Sequence, residues 1–448
     1  MEILTLFACY STLLSTVTIG HLAIIAQAIL TLTGRVTMSS MVRWTGGAIG
    51  YRTVQRFFAT ALPWVEMLVR FFQSHLFDAN EEYILAGDTT TVTKSGKKTH
   101  GLDRFFSGVM EKVVWGVEFL VLSVVGVKSR QSYPLAVQQT VRSEEEKAGL
   151  KRKTEERFKA RKKTRKGKRG RRQGIKNKIA QEVGYSAELQ RLNGLVKRLV
   201  NLLRLFVKVK YLVLDGHYAH HQAVLLAREN GLELISKMRC DAALCEKYEG
   251  EYSGKGRRKK YGKKVDYEQI SAKYLKKREL EEGILTNYYV GNFWHRKFKQ
   301  QLKVVIIEKI NLQERKVGRV ILMSSDLELE WEKVIEYYSL RFQIEFNFRD
   351  AKQYFGLEDF MNVTQRGVEN AANLSFLLVL LSRKLLAQRK ESCVGINDLK
   401  AQFRGEYYAL ETLKIVEPKA EELLIEKVKA VISRIGSIHR YCFSNSSA

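Results

Sequence analysis

Cysteine is scarce. The 448 residues hold five (Cys9, Cys240, Cys245, Cys393 and Cys442), scattered and without a paired metal-ligand spacing. Cys240 and Cys245 have no second pair to complete a zinc site. Neither a disulfide framework nor a zinc module is expected, and the odd, dispersed thiols suit a reducing compartment. Acid is short as well: 48 Asp and Glu stand against 76 Lys and Arg, a net charge of +28. Such an excess favours a polyanionic partner, nucleic acid before an anionic membrane surface. Charge of either sign is missing from residues 3–34. On length alone that stretch could span a bilayer. However, it carries several Ser and Thr, His21 and Gln27, and Glu2 stands where a signal peptide has its basic region. Buried helices of a globular domain are therefore expected, and no membrane. No repeat with a period of roughly 20–50 residues is present. What remains is ordinary: 45% hydrophobic and 28% charged, in a length that allows two or three domains with ample cores.

Taken in order, residues 26–32, 38–44 and 51–58 read as short helices around the turn Thr45-Gly46-Gly47. They resemble a helix-turn-helix, with Arg52, Gln55 and Arg56 projecting as candidate DNA contacts. Residues 82–88 form a short apolar strand ending on Asp88, and 113–127 and 133–141 read as further strands. Residues 143–178 break the pattern. Within them, 151–178 holds sixteen Lys and Arg and two acids, Glu155 and Glu156. A solvated, mobile loop is the plain expectation, and binding to phosphates is compatible with it. Residues 182–207 have helical periodicity. A second apolar strand, 209–215, ends on Asp215 and is followed by Gly216-His217-Tyr218. From 239 to 330 the chain is strand-rich, and beyond 361 it is helical, with 368–389 and 420–434 as candidates.

Neither Pro nor Gly interrupts residues 331–354, so one helix is predicted there, stopped by Gly356. Tyr338, Arg341, Glu345 and Lys352 would fall on it at about 0°, 300°, 340° and 320°, beside an apolar stripe of Leu340, Ile344, Phe348 and Phe355. A phenol, a guanidinium, a carboxylate and an ammonium on one border suit phosphate and metal. Asp88, Asp215 and Glu345 then form a set, two from strand ends and one from a helix face. Clustered carboxylates repel unless cations neutralise them, as Mg²⁺ or Mn²⁺ does in oxygen-rich sites. Two such ions can activate water and stabilise the leaving oxygen of a phosphodiester.

The spacing Tyr338-x2-Arg341-x3-Glu345-x6-Lys352, with Asp88-Thr89-Thr90 and Asp215-Gly216-His217-Tyr218 upstream, resembles the Y-R-E-K signature of the IS-four family of insertion-sequence transposases, in the DDE superfamily. The resemblance implies an α/β chain: an RNase H-like mixed-sheet catalytic core with a β-rich insertion, flanked by helical regions. The expected divisions are a helical DNA-binding region at 1–78 and the first part of the core at 79–238, with its basic arm at 143–178. The insertion follows at 239–330, the Glu345 helix at 331–360, and a helical region at 361–448. It further implies that Asp88, Asp215 and Glu345 are catalytic and bind two Mg²⁺ (or Mn²⁺) ions, and that Tyr338, Arg341 and Lys352 hold DNA phosphates. Water would nick the transposon end, and the freed 3′-OH would attack the opposite strand or target DNA. Trp294 in the insertion is a candidate for base stacking, though an ordinary core aromatic is the plainer reading. His217 stands near the second aspartate. The implied partner is double-stranded DNA (terminal inverted repeats and target) bound by a homodimer in the cytoplasm, at the nucleoid. Nothing in the signature demands the basic arm. Two alternatives stay open: a related RNase H-like nuclease that does not join strands, and a non-catalytic DNA-binding protein derived from a transposase.

Overall fold

The computed structural model describes residues 2–108, 110–163, 184–252, 254, 258–388, 395–416 and 421–432. Residues 164–178 of the basic arm and the polar tail at 444–448 lie outside them. Helices come first: α1 (Glu2–Phe7), α2 (Thr16–Thr31), α3 (Met38–Arg43), α4 (Tyr51–Ala59) and α5 (Trp64–His75). Side chains of Ser15 and Thr37 accept from the N–H groups of Thr18 and Ser40 and so cap α2 and α3. The charge-free stretch buries Phe7, Leu22, Ile25 and Leu30 completely.

Twelve strands form one sheet: β1 (Tyr83–Thr93), β2 (Asp103–Ser107), β3 (Lys112–Gly126), β4 (Ser132–Thr140), β5 (Val209–Leu214), β6 (Glu233–Met238), β7 (Leu244–Lys247), β8 (Tyr261–Lys264), β9 (Leu275–Glu281), β10 (Ile284–His295), β11 (Gln300–Asn311) and β12 (Lys316–Ser324). In its core the order is β4-β3-β1-β5-β6. There β3 runs antiparallel to β4 and β1, and β1, β5 and β6 are mutually parallel. Only one strand of five is reversed, and it is the second in sequence; this is the RNase H-like arrangement. The β-rich stretch after β6 does not make a separate sheet. Its last strand, β12, pairs antiparallel with β6, and β11 and β10 follow outward.

The remaining helices are α6 (Glu144–Lys163), α7 (Ala187–Leu203), α8 (His221–Glu229), α9 (Trp331–Leu340), α10 (Gln343–Tyr354), α11 (Gln365–Ala387), α12 (Ile396–Val416) and α13 (Glu422–Ile432). α5, α7, α10 and α11 pack on β4, and α9 crosses β5, β6, β12 and β11. α11 is long and apolar enough to cross a membrane, and 78% of its most apolar window is buried inside the protein. The first part of the basic arm is not a loop. Residues 144–163 are helical, opened by three acids at the helix's positive end and fixed there by Arg191 on Glu146 (2.9 Å).

Two expectations are corrected. Asp88 is not at a strand end: β1 runs on to Thr93 because the β-branched run Thr89–Thr93 pairs with β3 throughout. What ends there is the parallel pairing with β5, at Gly87. Nor is 331–354 one helix. Arg341, Phe342, Ile344 and Glu345 donate N–H bonds to Tyr338, Ser339, Arg341 and Phe342, each three residues back (3.0–3.3 Å). These bonds tighten the chain to about 120° per residue at the junction of the two helices. α9 packs on β5, β6, β12 and β11, while α10 packs on β1 and β4. The stop after Tyr354 is as read: Gly356 has φ +82°, and the Leu357 N–H returns to Ala351 O (3.0 Å).

Candidate active site

Asp88 projects from β1 at the point where β5 ceases to pair with it. Its Oδ1 accepts the Thr89 N–H (2.7 Å), and its Oδ2 takes the Arg341 guanidinium. Both side chains are mostly buried, 19% and 17% exposed. Burial pushes the Asp88 carboxyl up to about 6. Arg341 and the Thr89 N–H oppose that rise, and the neighbouring charges of Glu345 and Asp215 add to it. Asp215 follows the last residue of β5 and caps the short turn Gly216–Tyr218, its Oδ1 accepting the His217 N–H (3.0 Å). Glu345 lies in the first turn of α10, where the helix dipole favours a carboxylate.

Arg341, at the junction between α9 and α10, reaches Asp88. Arg341 sits 5.9 Å from the Tyr338 ring centroid. Burial works against its charge, yet Asp88, Tyr338, Asp215 and Glu345 hold its pKa above the ordinary value. Burial also raises the half-buried Tyr338 phenol. Lys352 is anchored to the strand: its ammonium donates to Thr91 O (2.9 Å) and lies 3.6 Å from Glu358. Thus two of the four signature residues, Arg341 and Lys352, are held on β1.

Asp88 and Asp215 open on a cleft of about 660 Å³ that contains three acids the sequence did not single out: Glu118, Glu146 and Glu188. Burial raises the Glu118 carboxyl, with Arg142 and the Thr140 hydroxyl opposing. Its signal was present, as the lone acid in the apolar run 113–127. Glu188 receives the Tyr218 hydroxyl (3.0 Å) and pairs with His217 (3.1 Å), a meeting of distant segments that no local pattern announces. His217 therefore faces the cleft through Glu188.

Other candidates lie elsewhere. Trp294 is on β10, five inter-strand spacings from β1, about 24 Å across the sheet. It packs edge-on to Tyr261 with the Lys260 ammonium 5.3 Å from its ring. Arg52, Gln55 and Arg56 are exposed on α4, opposite the buried Val54, Phe57 and Phe58.

Three carboxylates, Asp88 with Glu345 and Asp215 in its electrostatic reach, are hard oxygen donors of the kind that suits a divalent cation of the Mg²⁺ class. Among the described residues, no three His, Cys, Asp or Glu stand close enough to ligate an ion as they lie. Arg341 neutralises Asp88 instead.

The sheet order and the acids beside its central strands define an RNase H-like protein. The chain belongs to the DDE superfamily endonuclease family, whose model matches residues 10–289. That span includes Asp88 and Asp215 and stops short of Glu345. Nucleases of this superfamily generally depend on divalent metal. No curated protein matches the chain. Among solved structures it is similar to a cryo-EM structure of the piggyBac transposase synaptic complex with hairpin DNA, at 10% identity and a TM-score of 0.35. The match covers 85% of this chain, which spans 61% of that chain's length.

Proposed function

We propose that this endonuclease is a DNA transposase of the IS-four type, which cuts transposon ends and joins them to target DNA. What carries the reading is the place of Asp88, on β1 beside Arg341 and within the electrostatic reach of Glu345 and Asp215, in a chain whose Glu345 also sits within the Y-R-E-K spacing. Asp88, Asp215 and Glu345 would hold Mg²⁺ or Mn²⁺, two ions per site. Such ions activate water and stabilise a leaving oxygen of the phosphodiester.

Arg341 would exchange Asp88 for a phosphate near the cut, since its planar fork fits either anion bidentately. Tyr338, beside the guanidinium, would complete that phosphate's contacts. Lys352 would supply a point charge to the next phosphate. Arg52, Gln55 and Arg56 on α4 would touch duplex DNA, and the +28 net charge would draw the polyanion in. Joining two ends needs two active sites, so the working form would be a homodimer on paired terminal repeats, in the cytoplasm at the nucleoid.

The test is Mg²⁺-dependent cleavage of DNA carrying the flanking inverted repeats. Glu345→Gln is expected to abolish cutting while leaving DNA binding largely intact. Unchanged cutting by that variant would remove Glu345 from the site. Cutting without joined product in the parent chain would favour a nuclease without strand transfer. Binding without cutting would favour a transposase-derived DNA-binding protein.

A further inference from the structure

The β2–β3 hairpin extends past the last residue of β3 that β1 pairs, Gly116 opposite Thr93. Gly116 makes the junction possible, because a Cβ there would lie 2.2 Å from Val92 O. Along the hairpin, Arg104 is opposite Trp115 and Phe106 is opposite Val113, and directly opposed residues share a face. The other face is covered: Phe105 is 1% exposed beneath the Arg142 guanidinium, which lies 4.1 Å from its ring. The first face is open. Phe106, Val113 and Trp115 are 63%, 58% and 56% exposed, a contiguous apolar patch of the kind that marks a binding surface.

Two observations identify the occupant. First, the patch is continuous with the candidate site, for Phe106 lines the same cleft as Asp88 and Asp215. Second, cations are interleaved with the rings. The Arg104 guanidinium lies 5.7 Å from the Trp115 ring, and Lys97 and Trp115 line one pocket. Aromatic faces for bases, with cations between them for phosphates, are what an unpaired nucleic-acid strand requires.

We infer that the Phe106–Trp115 face of this hairpin is a stacking platform for unpaired DNA bases beside the cut. The inference rests on the proposed DNA-cutting function. The experiment compares binding of two labelled probes, a blunt duplex and the same duplex with a short single-stranded extension. The proteins are the full chain, Trp115→Ala, Phe106→Ala and Trp115→Phe. Trp115→Ala and Phe106→Ala should each weaken the extended probe roughly tenfold and the blunt probe less than about twofold, with Trp115→Phe close to the parent. Equal loss on both probes, or no loss, overturns the platform. So does a change in self-association of the DNA-free chain with binding intact, which would assign the face to a second copy. A parent chain that binds neither probe would defeat the DNA reading itself. A parent that binds both, with variants that match it, defeats only the platform.

Discussion

Asp88 binds its proton more tightly in the folded chain than the unfolded one, since burial lifts it from 3.8 to about 6. The sign is opposite to that of most acids. Folding gains from this group below its unfolded value and loses that gain as pH rises through about 6. Relative to Asp88→Asn, the metal-free wild type should lose up to about 3 kcal/mol of stability between roughly pH 4 and pH 7. Urea unfolding at both pH values measures it, and a difference between the proteins that does not change with pH would contradict the assignment. The candidate residues of this site stand out in the sequence, because acids at the ends of apolar runs and a fixed Tyr-Arg-Glu-Lys spacing are local patterns. Arg341 on Asp88 was not readable as a pair. It joins residues 253 apart in sequence.

The junction of α9 and α10 belongs to the scale of elements. A run without Pro or Gly reads as one helix, yet three-residue hydrogen bonds at Arg341–Phe342 divide it in two. Strand ends misled for a similar reason. Thr89–Thr93 continue β1 through pairing with β3, whose register is a tertiary fact. Buried strands and capped helices were recovered well. The short strands β2, β7 and β8, the strand β9 and the helices α5 and α12 were not read. Gly356 is where local reading and packing agree. Its φ is +82°, and a Cβ would meet Val36 at 2.5 Å. Gly356→Ala should therefore destabilise the chain by more than about 1 kcal/mol, the combined cost of the backbone conformation and the clash. Thermal unfolding reports it. An unchanged midpoint would mean that the α10 end and the α2–α3 connection can separate freely.

Over the whole molecule the sheet gathers what the sequence scatters. Residues 215 and 345 come within electrostatic reach of Asp88 because β1 and β5 are adjacent and parallel while α10 lies against β1. The insertion extends the same sheet. The charge of the chain makes a further prediction. Deleting residues 151–178, with sixteen basic residues and two acids, should make the dependence of DNA binding on salt shallower, by about 0.9 in log–log slope for each DNA phosphate that the deleted side chains had neutralised. An unchanged slope would mean that this stretch does not touch DNA.

The central claim is that Asp88, Asp215 and Glu345 share a divalent-metal site. Iron-directed cleavage of the protein tests it without reference to activity. With Fe²⁺ in place of Mg²⁺, ascorbate and peroxide should cut the backbone near residues 88, 215 and 345 together. Excess Mg²⁺ should suppress all three cuts, and Glu345→Gln should diminish them in concert. Cuts at one position only, or a pattern indifferent to Mg²⁺ and to Glu345→Gln, would contradict the account.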